Sequence, residues 1–359
     1  MIYREAGQFK TSYAADQAIF PIRQDRIGVA LILLVAFFGV PFAANDYFLS
    51  TIFLPFLVFS LAALGLNILT GYCGQLSLGT GGFMATGAFA AYKFATAFPD
   101  MHIVFVLICA GLATAGVGML FGLPSLRIKG FYLAVATLAA QFFLIWLFVK
   151  VPWFTNYSPS GVISAPPMKL WGDVWVTGTG ATAATRYLFC LSVVAVLAML
   201  AKNMVRSSIG REWMAIRDMD IAAEIIGIRP LRTKLIAFGV SSFYCGIAGA
   251  LWAFCYTGSV EPGAFEISRS FQILFMVIIG GLGSIVGCFL GAAFIILLPI
   301  FLSNAPALVG LSISVATVSH MEAMVFGALI IFFLVVEPHG LARLWQIAKE
   351  KLRLWPFPH

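Results

Sequence analysis

The sequence predicts an all-α integral membrane protein with about ten transmembrane crossings. They form two inverted five-crossing halves, with Gly-rich interruptions near mid-membrane. Three observations predict this. The 359 residues are 61% apolar and only 10% charged, and mean hydropathy is +0.98. Soluble domains carry about 45–50% apolar and about 25% charged residues. So few charges cannot cover a water-exposed surface, which excludes soluble enzymes, nucleic-acid binders and disordered tails. The second observation is a recurrence of apolar runs long enough to cross about 30 Å of hydrocarbon at about 1.5 Å per residue. The third is an uneven distribution of Lys and Arg among the connections between those runs.

Taken in order, residues 1–26 form a cytoplasmic segment carrying Arg4, Lys10, Asp16, Arg23, Asp25 and Arg26. Its length and mixed charge do not fit the short basic start of a signal peptide, so the first apolar run, 27–44, is read as a retained span. Further runs follow at 48–70, 82–98, 103–123, 131–149, 187–201, 235–257, 271–303 and 321–336. Residues 271–303 are too many for one ordinary span and are interrupted by Gly280, Gly281 and Gly283. They are read as two crossings, the first of them short. The membrane domain thus covers 27–336, with an outer loop at 151–185 and a cytoplasmic loop at 202–234. A basic tail occupies 337–359.

Basic residues set the orientation, because cytoplasmic connections carry the excess of Lys and Arg. Seven lie in 202–234: Lys202, Arg206, Arg211, Arg217, Arg229, Arg232 and Lys234. Arg127 and Lys129 lie in 124–130, and Arg343, Lys349, Lys351 and Arg353 in the tail. Lys169 is alone in 151–185, Arg269 is alone in 258–270, and 304–320 has none. Both ends are then cytoplasmic, which requires an even number of crossings and two for 271–303. Ten crossings divide at the outer loop into halves of odd count and therefore of opposite orientation.

Each half carries a Gly-rich interruption: GYCGQLSLGTGGFMATGAF (71–89) and GGLGSIVGCFLGAAF (280–294). Paired interruptions in inverted halves suggest a transport pathway. Asn67, Gln75, Ser77 and Thr80 are the candidate pathway-lining residues, with a purely structural loop as the alternative. Asn67, Gln141 and Gln272 also suit hydrogen bonding between helices. Gly283, Gly287 and Gly291 are read as a GxxxGxxxG packing stripe.

Few residues bear reactive chemistry. The six cysteines lie in apolar or Gly-rich stretches without a CxxC pair and are read as small buried hydrophobes. His102, His320, His339 and His359 are too scattered for a metal site. HExxH, GxSxG and Walker A sequences do not occur, so no catalytic residue, metal site or cofactor is expected on this chain. Lys93 is placed to snorkel to the outer interface, and Glu322 begins the last span there. The absence of a carboxylate relay within the spans weighs against proton coupling. Trp153, Trp171 and Trp175 suit the outer loop to the membrane surface.

The most informative segment is SSIGREWMAIRDMDIAAEIIGI (207–228), read as a short helix. Its six charges in 211–224, four of them acidic, argue against rest on anionic lipid. They suit docking to another protein through ion pairs around an apolar contact. GREWMAIRDMDIAAEIIGI followed by KLIAFGVSSFYCGIAGAL resembles the cytoplasmic loop and next helix of permeases in the branched-chain amino acid ABC transporter family. LNILTGYCGQLSLGTGGFMATGAFAAY (66–92), GGLGSIVGCFLGAAFI (280–295) and EPHGLARLW (337–345) extend the resemblance over about residues 45–355. The long outer loop and the tail bring it nearer the LivM-type than the LivH-type subunit. The chain departs at TNYSPSGVISAPP (155–167), where relatives often show a Gly-rich pattern after the Thr.

The resemblance implies a multi-pass subunit of a bacterial importer in the inner membrane, which translocates branched-chain or other hydrophobic amino acids by ATP-driven alternating access. It implies a sister permease, two ABC ATPases that hold ATP and Mg, a periplasmic substrate-binding protein and the lipid bilayer as partners, and no nucleic acid. It makes the loop an ATPase-coupling element, with Arg211, Glu212, Arg217, Asp218, Asp220 and Glu224 as docking contacts, Trp213 as anchor and Gly227 at its end. Urea, a short amide or an aromatic carboxylate are alternative cargoes, and an ion-coupled secondary transporter is the alternative class.

Overall fold

A computed structural model describes residues 12, 23–125, 131–170, 174–178, 180–308, 321, 324–325, 327–329, 331–333, 335 and 340–354. Helices dominate, as they must where no water is available to satisfy backbone N–H and C=O groups. They are α1 (23–43), α2 (Asp46–Tyr72), α3 (Thr80–Ala97), α4 (Ile103–Ser125) and α5 (Phe131–Lys150). After the outer loop come α6 (Ala183–Arg206), α7 (Ser208–Asp218), α8 (Asp220–Ile225), α9 (Pro230–Thr257), α10 (Ile267–Gly280), α11 (Ile285–Leu308) and α12 (Gly340–Leu354). Two short strands, β1 (Ile163–Ser164) and β2 (Ser259–Val260), pair antiparallel with Ile163 opposite Val260.

Among the described residues, eight helices are long and apolar enough to cross a membrane: α1, α2, α4, α5, α6, α9, the stretch 262–280 that contains α10, and α11. This is an all-α membrane architecture. The count falls below the ten expected for two identifiable reasons. Lys93, together with the glycines and threonines of α3, dilutes the apolar character of that helix. The expected span 321–336 is only partly covered by the described residues, those described between 321 and 335 being helical, and Glu322 and the loop residues 126–130 lie outside them.

The core forms where α9 packs against α2, α3 and α4. These helices touch backbone to backbone. A Cβ on Gly87 would run into the backbone of Gly246, and one on Gly249 into the Met84 carbonyl. Small residues permit such approach, and van der Waals packing then holds the helices where lipid offers no hydrophobic drive. The outward faces stay apolar: Phe42, Phe105, Leu120, Tyr132, Trp146 and Val196 are all exposed. Apolar exposure on this scale fits contact with lipid.

Two helices are interrupted in the same way. α2, after an earlier π-turn at Leu49–Phe53, is α-helical from Leu54 to Asn67, widens into a second π-turn at Ile68–Tyr72, continues as non-helical chain through 79, and resumes as α3. α9 is α-helical to Leu251, widens at Trp252–Thr257, continues through β2 and a 3₁₀ turn at Pro262–Phe265, and resumes as α10. The starts of α3 and α10 meet about halfway along α5. There Gly81 N–H donates to Ser270 Oγ (2.8 Å), and Gln141 Nε2 donates to the Phe265 carbonyl (2.8 Å). Gln141 Oε1 accepts from Gly82 N–H and from Ser270 Oγ.

The long run 271–303 is indeed two helices. Gly281 (φ 113°) and Gly283 (φ 75°) adopt conformations that side chains resist, and α10 and α11 fold back as an antiparallel hairpin. A Cβ on Gly287 would meet the backbone of Gly280, and one on Gly291 the Met276 carbonyl. Gly283 does not belong to that stripe, since it sits in the turn before α11 begins. The position of the interruptions also needs correction. Gly71 and Gly283 lie against each other beside Arg217, at the end of the bundle next to the 202–234 loop. Only the 79–82 junction reaches the middle of α5. Finally, 207–228 is two short helices, because Met219 (φ −160°, ψ 96°) takes an extended conformation between α7 and α8.

Candidate functional site

The loop between α6 and α9 has an inward and an outward face. In α7, Gly210, Trp213 and Ile216 recur at helical spacing and are its buried residues. The Trp213 side chain is fully buried, and its indole N–H donates to the Thr233 carbonyl at 3.2 Å. Thr233 Oγ1 donates to Glu212 Oε2 at 3.1 Å. Together they fasten α7 to the first turn of α9. Trp213 therefore cannot serve as a partner's anchor as the sequence suggested. It anchors the loop to its own bundle, and Glu212 is turned inward with it.

Arg217 also reaches inward. Its Nη1 donates to the Gly71 carbonyl (3.0 Å), at the π-turn that ends α2, while Nε pairs with Asp218 Oδ1 (2.9 Å). Four residues upstream of Gly71, Asn67 is fully buried and uses both ends of its amide on the α10–α11 turn. Oδ1 accepts from Gly283 N–H (2.9 Å), and Nδ2 donates to the Ser284 carbonyl (3.1 Å). Arg217, Gly71, Asn67, Gly283 and Ser284 thus join three parts of the chain: the loop, the end of α2 and the α10–α11 hairpin.

The outward face differs. Met219, Ile221, Ile225 and Ile226 are exposed, the last two at 81% and 74%. Arg211, Asp218 and Glu224 are exposed near them, Asp220 is half-buried, and Gly227 (φ 96°) turns the chain after α8. Arg211 also donates to the Arg206 carbonyl at 3.1 Å. Clustered isoleucines at a membrane protein's polar end, rimmed by charge, make a surface suited to another protein.

The other expected residues fall inside. Gln75, Ser77 and Thr80 are buried. Ser77 Oγ accepts from Gly79 N–H at 3.4 Å, and Gln75 Oε1 has no hydrogen-bond partner among the described residues. Lys93 Nζ donates to Asn156 Oδ1 (3.1 Å) and lies 4.4 Å from the Trp153 ring, tying α3 to the outer loop. Gln141 is a junction for two helix starts, beyond a plain helix-to-helix bond. In the sequence Arg269 is only an isolated charge in 258–270. Its guanidinium lies against both the Phe59 and Trp252 rings, 5.1 and 4.9 Å from their centroids, with Nη1 on Gln272 Oε1 at 2.8 Å.

Residues 48–334 match the family described as branched-chain amino acid transport system, permease component. The chain belongs to that family. The matched region holds α2 to α11, and hence both helix interruptions and the loop, while α1 and α12 lie outside it. Two LivM high-affinity branched-chain amino acid transport system permease proteins are similar to this permease. The Salmonella typhimurium protein is 31% identical over 258 residues, 67% of this chain and 60% of the relative. The Escherichia coli protein is 32% identical over 246 residues, 64% and 57% of the two chains. The matched stretch thus spans about three-fifths of those relatives' length. A probable ABC transporter permease of Sinorhizobium fredii is 27% identical over 301 residues, 80% of each chain. No solved structure matches.

Proposed function

We propose that this permease is a pathway-forming subunit of a bacterial ABC importer for branched-chain or other hydrophobic amino acids. It works in the inner membrane with a LivH-type sister permease, two ABC ATPases and a periplasmic binding protein. The chain performs no catalysis and binds no cofactor; ATP and Mg reside on the ATPases. Its termini are cytoplasmic and its crossings number about ten, counting α3 and the segment around 321–336. The shared order of α-helix, π-turn, non-helical chain and new helix in α2–α3 and α9–α10 supports inverted halves. The names of the LivM relatives supply the cargo class.

One observation carries this reading: the α7–α8 loop offers exposed isoleucines outward and is bonded inward to the interrupted end of α2 and to the first turn of α9. An ATPase seated on that tip would move α7 when its nucleotide sites close. The bundle would then redistribute between conformations open to either side, provided docking is tighter in one of them. Asp218 and Glu224 remain docking contacts in this scheme, with Arg211 beside them.

The test uses the full complex with its cognate ATPases. Ile225→Asp and Ile226→Asp place a charge in the apolar contact, and hot-spot losses of about 2 kcal/mol or more correspond to roughly 30-fold weaker binding. The variants are expected to reach the membrane, to lose the ATPases on affinity purification, and to take up no radiolabelled leucine. Undiminished ATPase recovery and ATP-dependent uptake in both variants would remove the assignment.

A further inference from the structure

We propose that Arg217 is the positioning residue that transmits movement of the α7–α8 loop into the membrane bundle, through its bond to the Gly71 carbonyl. This rests on the loop being the ATPase-docking element, and adds how the motion leaves it.

The geometry is that of a latch. Carbonyls at the end of a helix lack an acceptor role within it and need outside donors. The π-turn at Ile68–Tyr72 presents Gly71 in this way, and Arg217 Nη1 supplies the donor at 3.0 Å. The planar guanidinium can serve two partners at once, and Asp218 at 2.9 Å holds its Nε edge. Gly71 lies so close to the hairpin turn that a side chain there would strike Gly283 and Asn67. Asn67 then clasps that turn from both sides, at 2.9 and 3.1 Å. A shift of α7 along the membrane normal thus acts on α2 and on the α10–α11 hairpin together. Trp213 moves with α9 by its bond to Thr233, so the loop holds separate grips on α9 and on the α2–hairpin node. The exposed isoleucines take no part in either grip, so apolar docking and transmission fall to different side chains, while Asp218 borders both.

The experiment is a paired measurement on the complete complex in proteoliposomes, with ATP hydrolysis and leucine uptake followed on the same preparation. In Arg217→Gln the ATPases should still co-purify and hydrolyse ATP within about twofold of wild type. Uptake should fall at least tenfold, so that transport per ATP collapses. Arg217→Lys keeps the charge but cannot span both partners, and should recover transport only in part. Asn67→Ala should give the same phenotype, and the double variant should be no worse than either single one, as for two members of one linkage. If Arg217→Gln is not recovered from membranes, Arg217→Lys decides by the same ratio. Unchanged transport per ATP would overturn the proposal. Loss of the ATPases would also overturn it, by making Arg217 a docking residue. Failure of wild-type complex to bind ATPases or to import with ATP would instead refute the functional reading beneath it.

Discussion

Trp213 and Ile225 lie twelve positions apart on one loop and have opposite fates, and that contrast assigns their roles. Trp213 is fully buried with its N–H on Thr233, whereas Ile225 is 81% exposed. Truncating a buried aromatic side chain costs about 3–5 kcal/mol, because contacts are lost and the cavity only partly collapses. Trp213→Ala is therefore expected to lower the thermal unfolding midpoint of the purified permease measurably. Ile225→Ala, which trims a largely exposed side chain, should leave the midpoint within about 1 °C, in line with surface substitutions of within about 0.5 kcal/mol. Equal shifts in a thermostability scan would contradict the two-faced loop. The loop draws attention in the sequence because charges and isoleucines stand out in so apolar a chain. It assigned Trp213 to the wrong face because burial of a short helix between two spans is decided by neighbours at distant positions, here Thr233.

At the scale of elements, hydropathy exposed the spans and their breaks unevenly. Excess length and three glycines revealed the α10–α11 hairpin. The same spacing of glycines misplaced Gly283 on a helix, since a turn residue and a helical residue can share a four-residue interval. The π-turns closing α2 and α9 have no comparable signature, and their equivalence emerges only from the fold. Gln141 was visible as a polar residue in a span, but its partners come from the beginnings of two remote helices. That junction is testable. Gln141→Leu would leave the Phe265 carbonyl and Gly82 N–H without their present partners. Buried groups left unpaired cost about 1–3 kcal/mol each. The expected result is a destabilised permease whose α3 and α10 starts exchange backbone hydrogen faster, while α4 exchange is unchanged. Protection equal to wild type at residues 79–83 and 265–270 would show that α3 and α10 are held by something other than Gln141.

For the whole molecule, the distribution of charge and the internal bonds make one joint statement about sidedness. Seven Lys and Arg residues in 202–234 against one in 151–185 are the pattern expected of connections on opposite sides, with the former cytoplasmic in the proposed arrangement. The contacts agree on separation: Arg217 bonds to Gly71 at one end of the bundle, while Lys93 bonds to Asn156 at the far end of α3. Ser160 and Ala222 are exposed on these two loops, and the native cysteines are buried or half-buried, so background labelling should be low. With a membrane-impermeant maleimide on spheroplasts, Ser160→Cys should label at once. Ala222→Cys should label only after permeabilisation or in inverted vesicles. Docked ATPases would protect Ala222→Cys in inverted vesicles, and stripping them should restore its reactivity. Labelling of both positions from the same side would break the topology, because the α7–α8 tip could no longer meet a cytoplasmic ATPase while the outer loop faced a periplasmic binding protein.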